Sequence, residues 1–407
     1  MLVSPSGTSG CARRRFLAFM SDSTPAVEPS APAIGPLVRV GLVSVGDPAS
    51  PSTWSGTTAS VMRALSELDV VVHGLDLTLP RVLERAVLAA GAARTRNSYD
   101  KNGAAVTMAI RSRLARRRLS GAQLDGLIQI GSGFVLPDGV PYVTLEDMTL
   151  RQGRAVHPFF TRMSEHGIAS WEKRRIGIFD RARMCTVASH WAAESLFTDY
   201  GVARKRIAVV GLGANHNVTA PDRVWQSPRF LFVGSDWERK GGPLLLRTFA
   251  RVREVYPDAM LDVVGGHPQL RQPGVHAHGV LSQARPEDRE LIAELYARAT
   301  CFVMPSLVEP FGLVHVEAGS AGIPSIVTTE GGARDTIGAD GGLAVQPGDE
   351  EGLLEAMLRL ANPETARQMG KAARERSRLY TWTKVSERLL RALGLQAPDG
   401  RTLAEFL

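Results

Sequence analysis

The chain has 407 residues, which is more than one ordinary hydrophobic core serves, so two domains are expected. Its 44% hydrophobic and 22% charged residues are typical of a folded globular protein and exclude a largely disordered one. The net charge of +7 suits an anionic ligand, a nucleic acid or an acidic membrane surface, although an arginine-rich genome gives a similar balance.

The cysteines and the hydropathy further limit the class of protein and its cellular compartment. Cys11, Cys185 and Cys301 lie far apart without a CxxC pair, which argues against a zinc site or a disulfide framework and fits a reducing compartment. No apolar run approaches the roughly 18 residues of a membrane span. We therefore expect a cytoplasmic protein, with peripheral contact at the inner membrane face as a further expectation.

Residues 1–36 are rich in Ser, Pro and Ala and predict a disordered tail. The run RRRFL resembles a twin-arginine signal, but AFMSDST follows it where an apolar signal core should stand. Met20 is a candidate for the true start.

From Leu37 onward, short β-branched runs alternate with helical patterns, which is typical of βαβ units and a parallel sheet. In the first half, SHWAAESLFTDYG predicts a helix with Ser189 as its N-terminal cap and Gly201 at its end. The predicted strands of this half are LVRVGLVSVG, DVVVHGLDL, DGLIQIG, PYVTLED, MCTVAS and RIAVVGLG.

The alternation stops over a turn-rich stretch and then restarts with FLFVG, MLDVVGG, VHAHGV, CFVMPS, PSIVTT and GGLAVQ. This pattern predicts an α/β protein with two Rossmann-like, doubly wound parallel sheets and a ligand cleft between them. In TWTKVSERLLRALG, apolar residues at helical spacing predict a last helix. The predicted divisions are a first domain over 37–213, a linker over 214–228, a second domain over 229–380 and a C-terminal segment over 381–407.

The strongest functional pattern is CFVMPSLVEPFGLVHVEAG. A strand ends near Ser306, and Pro310 stands where the first turn of a helix accepts proline. The amides of Phe311, Gly312 and Leu313 would then be free to bind an anion, and Gly312 would let a phosphate approach the backbone. Glu317, one turn into the helix, suits the paired hydroxyls of a ribose, and Glu309 the hydroxyls of a sugar.

The plainer interpretation makes Glu309 a solvated loop acid and Glu317 a helix-surface acid. The apolar residues around Glu317 indicate a buried helix, where an unpaired carboxylate is costly, so we prefer the ligand site.

This block resembles the nucleotide-sugar signature of the family-4 retaining glycosyltransferases, which have the GT-B fold. The resemblance covers most of residues 38–392 loosely and this block closely. It implies that Glu309 contacts the donor sugar, Glu317 the ribose and the Phe311–Leu313 backbone the diphosphate. It also implies that the C-terminal helix packs back on the first domain. The signature positions are Glu309, Phe311, Gly312, Glu317, Gly322, Pro324, Gly331 and Gly332.

A second element, FLFVGSDWERKGG, places Arg239 and Lys240 after a strand that ends at Gly234. Two cations there can neutralise a leaving diphosphate, and a solvated basic turn is the alternative. In the resembled family an arginine is usual where this chain has Ser235, so the role of Arg239 is less defined than that of Lys240. Gly234 and Ser235 are predicted to line the donor site.

A third element, DPASPSTWSGTTASVMRAL, is a loop followed by a helix in the first domain. The resemblance implies that Gly56 and Thr57 face the donor phosphates and the acceptor, and a plain helix start capped by Ser55 is the alternative. Asp147 follows a predicted strand and either orients an acceptor hydroxyl or caps the next segment.

Other sites are not predicted. There is no Asp-x-Asp motif to hold a divalent metal, His190, His216 and His267 lack ligand spacing, and no GxGxxG is complete. No metal or other cofactor is therefore expected, and a nicotinamide oxidoreductase is disfavoured. The five arginines of AIRSRLARRRL (109–119) indicate a solvated basic face, or alternatively a helix lying on anionic lipid.

These patterns together favour a metal-independent retaining glycosyltransferase. It would move a hexose from a UDP- or GDP-linked sugar to a hydroxyl of a glycan, a lipid-linked sugar or a small molecule. A catalytically silent nucleotide-sugar binder is the alternative. A glycosidase is disfavoured, because two carboxylates eight residues apart on one helix would be about 12 Å apart along its axis, beyond the roughly 5–9.5 Å that hydrolysis uses. No nucleic-acid partner is expected, since aromatic residues are sparse near the basic stretch.

Overall fold

The computed structural model describes residues 37–87, 105–156, 158–215, 223–282 and 285–407. The predicted tail with its twin-arginine-like run and Met20, His216 and the middle of the predicted linker lie outside the described residues.

The first half of the chain forms a six-stranded parallel sheet in the order β2-β1-β3-β4-β5-β6. The runs predicted as strands are those that pair, and Leu42 on β1 lies opposite Ile128 on β3. The strand order reverses between β1 and β3: β2 is added on one side of β1, and β3 to β6 are added on the other side. Crevices for ligands form at such points. Its strands are β1 (Arg39–Ser44), β2 (Val71–Asp76), β3 (Gly126–Ile130), β4 (Tyr142–Glu146), β5 (Met184–Val187) and β6 (Ile207–Val209).

Helices cover both faces of this sheet, because its strands are apolar on both sides. The helix predicted after Ser189 is present and Ser189 caps it, but it ends at Thr198 with Asp199 as its C-cap, so the expectation for Gly201 was wrong. Among the described residues, the helices of this half include α1 (Thr57–Glu67), α2 (Ala105–Leu119), α3 (Leu150–Val156), α4 (Pro158–Thr161), α5 (Glu165–Arg181) and α6 (His190–Thr198).

The second half forms another six-stranded parallel sheet, in the order β12-β11-β10-β7-β8-β9. The strand order of this sheet reverses between β7 and β10, so the loops that follow these two strands meet at one crevice. Its core is separate and rich in Phe and Leu. The strands are β7 (Arg229–Val233), β8 (Met260–Val264), β9 (Val275–Gly279), β10 (Cys301–Val303), β11 (Ser325–Thr328) and β12 (Gly342–Val345).

Seven helices of the described second half follow, and the last of them returns to the first sheet. The returning helix buries Val385, Leu389, Leu390 and Leu393, as their spacing predicted, in the core that holds Val40 and Ile128. These helices are α7 (Gly242–Val255), α8 (Pro286–Arg298), α9 (Leu313–Ser320), α10 (Ala333–Ile337), α11 (Glu350–Ala361) and α12 (Pro363–Ser377), with α13 (Trp382–Leu393) as the returning helix.

The chain therefore has the two-sheet α/β architecture that the sequence predicted, with the last helix crossing back. Among the described residues, no helix combines the length and the apolar character that a membrane span requires.

Candidate nucleotide-sugar site

A cavity of about 490 Å³ lies where the two sheets face each other. Lys240, Glu309 and Glu317 line it from the second sheet, and Ser55 and Asp147 line it from the first. The residues from the second sheet follow β7 and β10, the two strands between which the strand order of that sheet reverses. The predicted donor residues are thus brought together at the crevice expected for an open parallel sheet.

Lys240 and Glu309, which both line this cavity, form a buried ion pair. Their side chains are 12% and 9% exposed, so little water screens the pair. Burial opposes ionisation of Glu309, but the charge and the hydrogen bond of Lys240 outweigh it, and the pKa of Glu309 lies below its usual value. Glu309 is therefore a buried carboxylate with a partner and not the solvated loop acid of the alternative interpretation.

The segment before α9 differs from the prediction. Helix α9 begins at Leu313 with Gly312 as its N-cap, so Pro310 precedes the helix and does not lie in its first turn. The Glu309 amide donates to the carbonyl of Glu330 at 3.1 Å, and Gly332 donates to the carbonyl of Glu309 at 2.9 Å. These bonds hold Glu309 extended, which is also what a following proline favours. The helix amides free to bind an anion therefore start at Leu313, and not at Phe311.

Gly312 is required by its backbone and its surroundings. Its φ of +83° is in the left-handed region, and a Cβ there would lie 2.5 Å from Cδ2 of His315 and 3.1 Å from Cγ of Glu309. Phe311, in contrast, is a buried anchor, since its ring packs edge-on against Tyr380 with a centroid distance of 5.6 Å. Phe311, Gly312 and Leu313 all line the cavity.

Glu317 lies in the second turn of α9 and is buried. One carboxylate oxygen accepts a hydrogen bond from the Tyr296 hydroxyl at 3.0 Å, and the other accepts from the Asn215 amide at 3.2 Å. Burial and the Glu317 carboxylate together raise the pKa of Tyr296 well above its usual value, so Tyr296 stays a donor. A carboxylate has further lone pairs for the hydroxyls of a ligand.

The loop after β7 places Gly234, Ser235 and Arg239 on the cavity wall. The Arg239 guanidinium donates to Asp236 at 3.0 Å and to the carbonyl of Val308 at 3.2 Å. Asp236 thus partly neutralises Arg239 and also fixes its position. Lys240 extends further into the site, towards Glu309, so the structure distinguishes the two cations that the sequence placed side by side.

His315 was not identified from the sequence. It is 2% exposed, neither ring nitrogen has a hydrogen-bond partner, and its ring packs edge-on against Phe302. Burial lowers the pKa of His315 to about 3, with Lys240 acting in the same direction and Glu309 against it. This neutral imidazole lies behind Gly312, where the only sequence signal is a lone histidine in an apolar helix.

The predicted acceptor residues lie on the opposite wall. Asp147 is partly buried and lines the cavity, while Thr149, not Asp147, caps α3 by accepting from the amide of Gln152 at 3.2 Å. Burial raises the pKa of Asp147 and the charge of Glu309 adds to this effect, against hydrogen bonds from the amides of Asp147 and Met148. The capping alternative for Asp147 is therefore wrong.

Gly56 is the N-cap of α1, so the alternative cap Ser55 is also wrong, and Thr57 is the first residue of the helix. Trp54 and Ser55 just before it have φ of +50° and +54°, which costs on the order of 1–3 kcal/mol for each such residue. Ser55 lines the large cavity, while Thr57 lines a smaller chamber beside it and Gly56 packs towards Asn215.

Asn215 is a second functional candidate that the sequence did not reveal, since it lies in the predicted linker. Its side chain donates to the carbonyl of Ser55 at 3.2 Å and accepts from the Ser60 hydroxyl and the Trp382 indole, each at 3.2 Å. Its amide reaches Glu317. Asn215 thereby connects the loop before α1, the returning helix and Glu317, the residue predicted to bind a ribose. Its only sequence signal was its position shortly after a strand that ends in Gly-x-Gly.

The histidines and the basic stretch are less informative. His190 lies near Asp335 of the second half, with its Nδ1 3.1 Å from the carboxylate, and His267 accepts from the Gly279 amide. The described residues contain no cluster of three or more His, Cys, Asp or Glu side chains that could hold a metal ion. In α2, Arg111 is buried, whereas Arg113, Arg116, Arg117 and Arg118 are exposed.

Residues 227–362 match the family model described as Glycosyl transferases group 1. The chain is 30% identical over 227 residues to a D-inositol 3-phosphate glycosyltransferase of Kribbella flavida, covering 49% of this chain and 53% of that protein. It is 35% identical over 153 residues to a GDP-mannose-dependent alpha-(1-6)-phosphatidylinositol monomannoside mannosyltransferase of Mycolicibacterium smegmatis, covering 33% and 39%.

These matches span about half or less of each relative. The fold is similar over a greater length. Sucrose-phosphate synthase from Thermosynechococcus elongatus superposes with a TM-score of 0.64 at 20% identity, covering 87% of this chain and 98% of that structure. Residues 227–362 are therefore similar to the group 1 glycosyltransferases, and the chain has the two-domain GT-B fold.

Proposed function

We propose that this protein transfers a hexose from a nucleoside diphosphate sugar to an acceptor hydroxyl, with retention of anomeric configuration and without a metal ion. The observation that carries the proposal is the single cavity that holds the Lys240–Glu309 pair, the start of α9 and Glu317 together. The Lys240 cation and the free amides at the start of α9 suit the negatively charged diphosphate of such a donor. The Glu317 carboxylate suits the hydroxyls of its ribose.

Donor binding would exchange the partners of the Lys240–Glu309 pair. The β-phosphate would take Lys240, and the hydroxyls of the sugar would take Glu309. When the sugar–oxygen bond breaks, negative charge grows on the β-phosphate, and Lys240 and the amides of Leu313 and Val314 would stabilise it. Because these groups are already in place, little reorganisation is needed at that moment.

Arg239 would support the diphosphate at longer range, since Asp236 and the carbonyl of Val308 hold it. Gly234 and Ser235 would give the phosphates close access to the end of β7. Asp147 would orient the acceptor hydroxyl from the opposite wall. The acceptor would attack the face from which the diphosphate leaves, so no enzyme nucleophile is needed.

A glycosidase fits less well. A general acid needs a pKa raised towards the working pH, whereas the pKa of Glu309 lies below its usual value. A catalytically silent nucleotide-sugar binder remains the second candidate, because Ser235 stands where the family commonly has an arginine. This candidate predicts nucleotide binding without turnover.

Calorimetry with UDP, GDP and ADP in the presence of a chelator tests the donor site. We expect one nucleotide to bind preferentially to the wild type, and about 10- to 100-fold more weakly to Lys240→Ala. Glu355→Ala, at an exposed position of α11, is the control and should bind like the wild type. If no nucleotide binds to the folded wild type, the transferase proposal is wrong.

Turnover separates the two candidates. Donors that carry the preferred base are incubated with a set of glycan, lipid-linked and small-molecule acceptors, and nucleoside diphosphate release is followed. Release that depends on the acceptor supports a transferase, and NMR of the product shows whether the configuration is retained. Binding with no release from any donor and acceptor would favour the silent binder.

A further inference from the structure

A second, smaller chamber of about 120 Å³ opens beside the donor cavity. It lies over the carboxyl ends of the strands of the first sheet, near the reversal between β1 and β3, where such sheets bind ligands. Ser55, Asp147, Leu212 and Leu313 line both spaces, so a molecule in the chamber would reach the donor.

The wall of the chamber contains an aromatic ring in an unusual position. Trp54 lies in the left-handed backbone region, which a bulky side chain rarely adopts, and its side chain remains 38% exposed. The indole reaches β3 because Gly131 has no side chain: a Cβ there would lie 2.8 Å from Cζ2 of Trp54. Strained residues of this kind are concentrated at functional sites.

The rest of the wall is mainly aliphatic, with Ile130, Leu145, Leu212 and Leu313. The lining residues with polar side-chain groups are Ser55, Thr57 and Asp147, together with Trp54 through its indole N–H. A carboxylate accepts hydrogen bonds from hydroxyls and repels phosphate. A dry cavity of about 150 Å³ holds a benzene ring, so the chamber has the scale of one six-membered ring that protrudes into the cleft.

We propose that this chamber is an acceptor subsite for an uncharged saturated ring, a sugar or a cyclitol. The C–H face of the ring would stack on Trp54, and one hydroxyl would point to Asp147. The proposal rests on the proposed function, which it deepens by naming the part of the acceptor that carries the reacting hydroxyl. Charged groups of the acceptor, such as a phosphate, would lie outside the chamber.

Saturation-transfer NMR on the full chain, saturated with its preferred nucleoside diphosphate, tests the subsite. The probes are methyl α-D-glucopyranoside and myo-inositol, with sorbitol as an open-chain control and myo-inositol 1-phosphate as a charged one. We expect signals on the ring C–H protons of both neutral rings in the wild type and in Trp54→Phe. In Trp54→Ala they should fall about fivefold, on the scale of one lost aromatic contact.

Several results would overturn the subsite: no ring signal in the wild type, equal signals in Trp54→Ala, stronger signals from sorbitol, or signals from the phosphorylated ring that do not depend on Trp54. Ring signals that depend on Glu309, tested with Glu309→Gln, but not on Trp54 would place the ring in the donor-sugar position and also overturn it. Calorimetry on the same samples keeps the two proposals apart. If every variant binds the nucleotide but ring binding does not depend on Trp54, only the subsite is refuted. If the wild type binds no nucleotide, the transferase proposal is refuted.

Discussion

The two walls of the cleft are built in different ways. The donor wall, residues 234–241 and 309–317, comes from two loops at one reversal of the second sheet and contains a buried ion pair. The acceptor wall, Trp54 to Thr57 with Asp147 and Asn215, comes from three segments far apart in the chain and includes two strained residues. Under the proposed function, the diphosphate and the ribose, which all such donors share, would be bound by groups at fixed local spacing. The acceptor would be bound by an assembly of distant segments.

The largest expected effect comes from removing the cation of the donor wall. Lys240→Ala should lower the transfer rate about 10²- to 10³-fold, because the charge growing on the leaving phosphate loses its nearest partner. It should also lower the free energy of unfolding by about 3–5 kcal/mol, since Glu309 is left buried and unpaired. Nucleoside diphosphate release and urea unfolding measure the two effects.

Two further variants separate these effects. Lys240→Arg keeps the charge and should retain part of both properties. Adding Glu309→Gln to Lys240→Ala should restore stability but not transfer. A Lys240→Ala enzyme that is unstable but transfers at the normal rate would show that the pair is only structural, and the contrast between the walls would disappear.

The next effect is the pH dependence of the donor wall. The pKa of His315 in the folded protein, about 3, lies below its ordinary value of 6.5, so the unfolded chain binds a proton that the folded chain does not. Stability should therefore fall as pH decreases from 6.5 towards 3, by up to about 2 kcal/mol between pH 6.5 and pH 5. Glu309, whose pKa is also lowered, adds a loss only below about its ordinary value of 4.5.

Urea unfolding at pH 7 and pH 5 checks this expectation. His315→Leu should lose less stability between the two pH values than the wild type, because it removes the group that titrates only in the unfolded chain. His166→Leu, at an exposed position of α5, should behave like the wild type. An equal pH dependence in wild type and His315→Leu would contradict the buried neutral imidazole.

A smaller effect should distinguish the ribose contact. The wild type should bind its nucleotide about tenfold more tightly than the 2′-deoxy form, since one hydroxyl contact to a carboxylate is lost. In Glu317→Gln the two affinities should approach each other. Calorimetry with both nucleotides measures the ratio, and Glu355→Gln should keep the wild-type ratio; an unchanged ratio in Glu317→Gln would remove Glu317 from the ribose.

The smallest effect concerns the junction between the walls. Asn215→Ala removes the side-chain bonds to Ser55, Ser60 and Trp382 but keeps the amide that reaches Glu317. We expect a loss of about 1–2 kcal/mol in the free energy of unfolding and little change in nucleotide affinity. Asn362→Ala, which removes a helix cap away from the cleft, should cost about 1 kcal/mol.

The two asparagine variants should differ in their effect on the acceptor. Asn215→Ala should reduce saturation transfer to a neutral ring probe, because the loop that carries Trp54 loses its anchor, whereas Asn362→Ala should not. If Asn215→Ala weakened nucleotide binding more than ring binding, the junction would belong to the donor wall.

The sequence by itself determined the fold class and the order of the strands along the chain, and it located the residues that we propose to bind the donor. Alternating apolar runs specify parallel sheets, and the loops after β7 and β10 carry their chemistry within a few residues, so spacing is enough to recognise it. The helical spacing of Val385, Leu389, Leu390 and Leu393 likewise predicted the buried face of the last helix.

Only the tertiary structure decided the remaining features. Glu309 donates a hydrogen bond to the carbonyl of Glu330 and accepts one from the amide of Gly332, and these bonds keep it extended, so α9 starts only at Leu313. Asn215, Trp54 and His315 acquire their roles from partners such as Trp382, Gly131 and Phe302, most of them far away in the chain. Local patterns report propensity and periodicity, whereas which distant side chains meet depends on how the two sheets and the returning helix pack together.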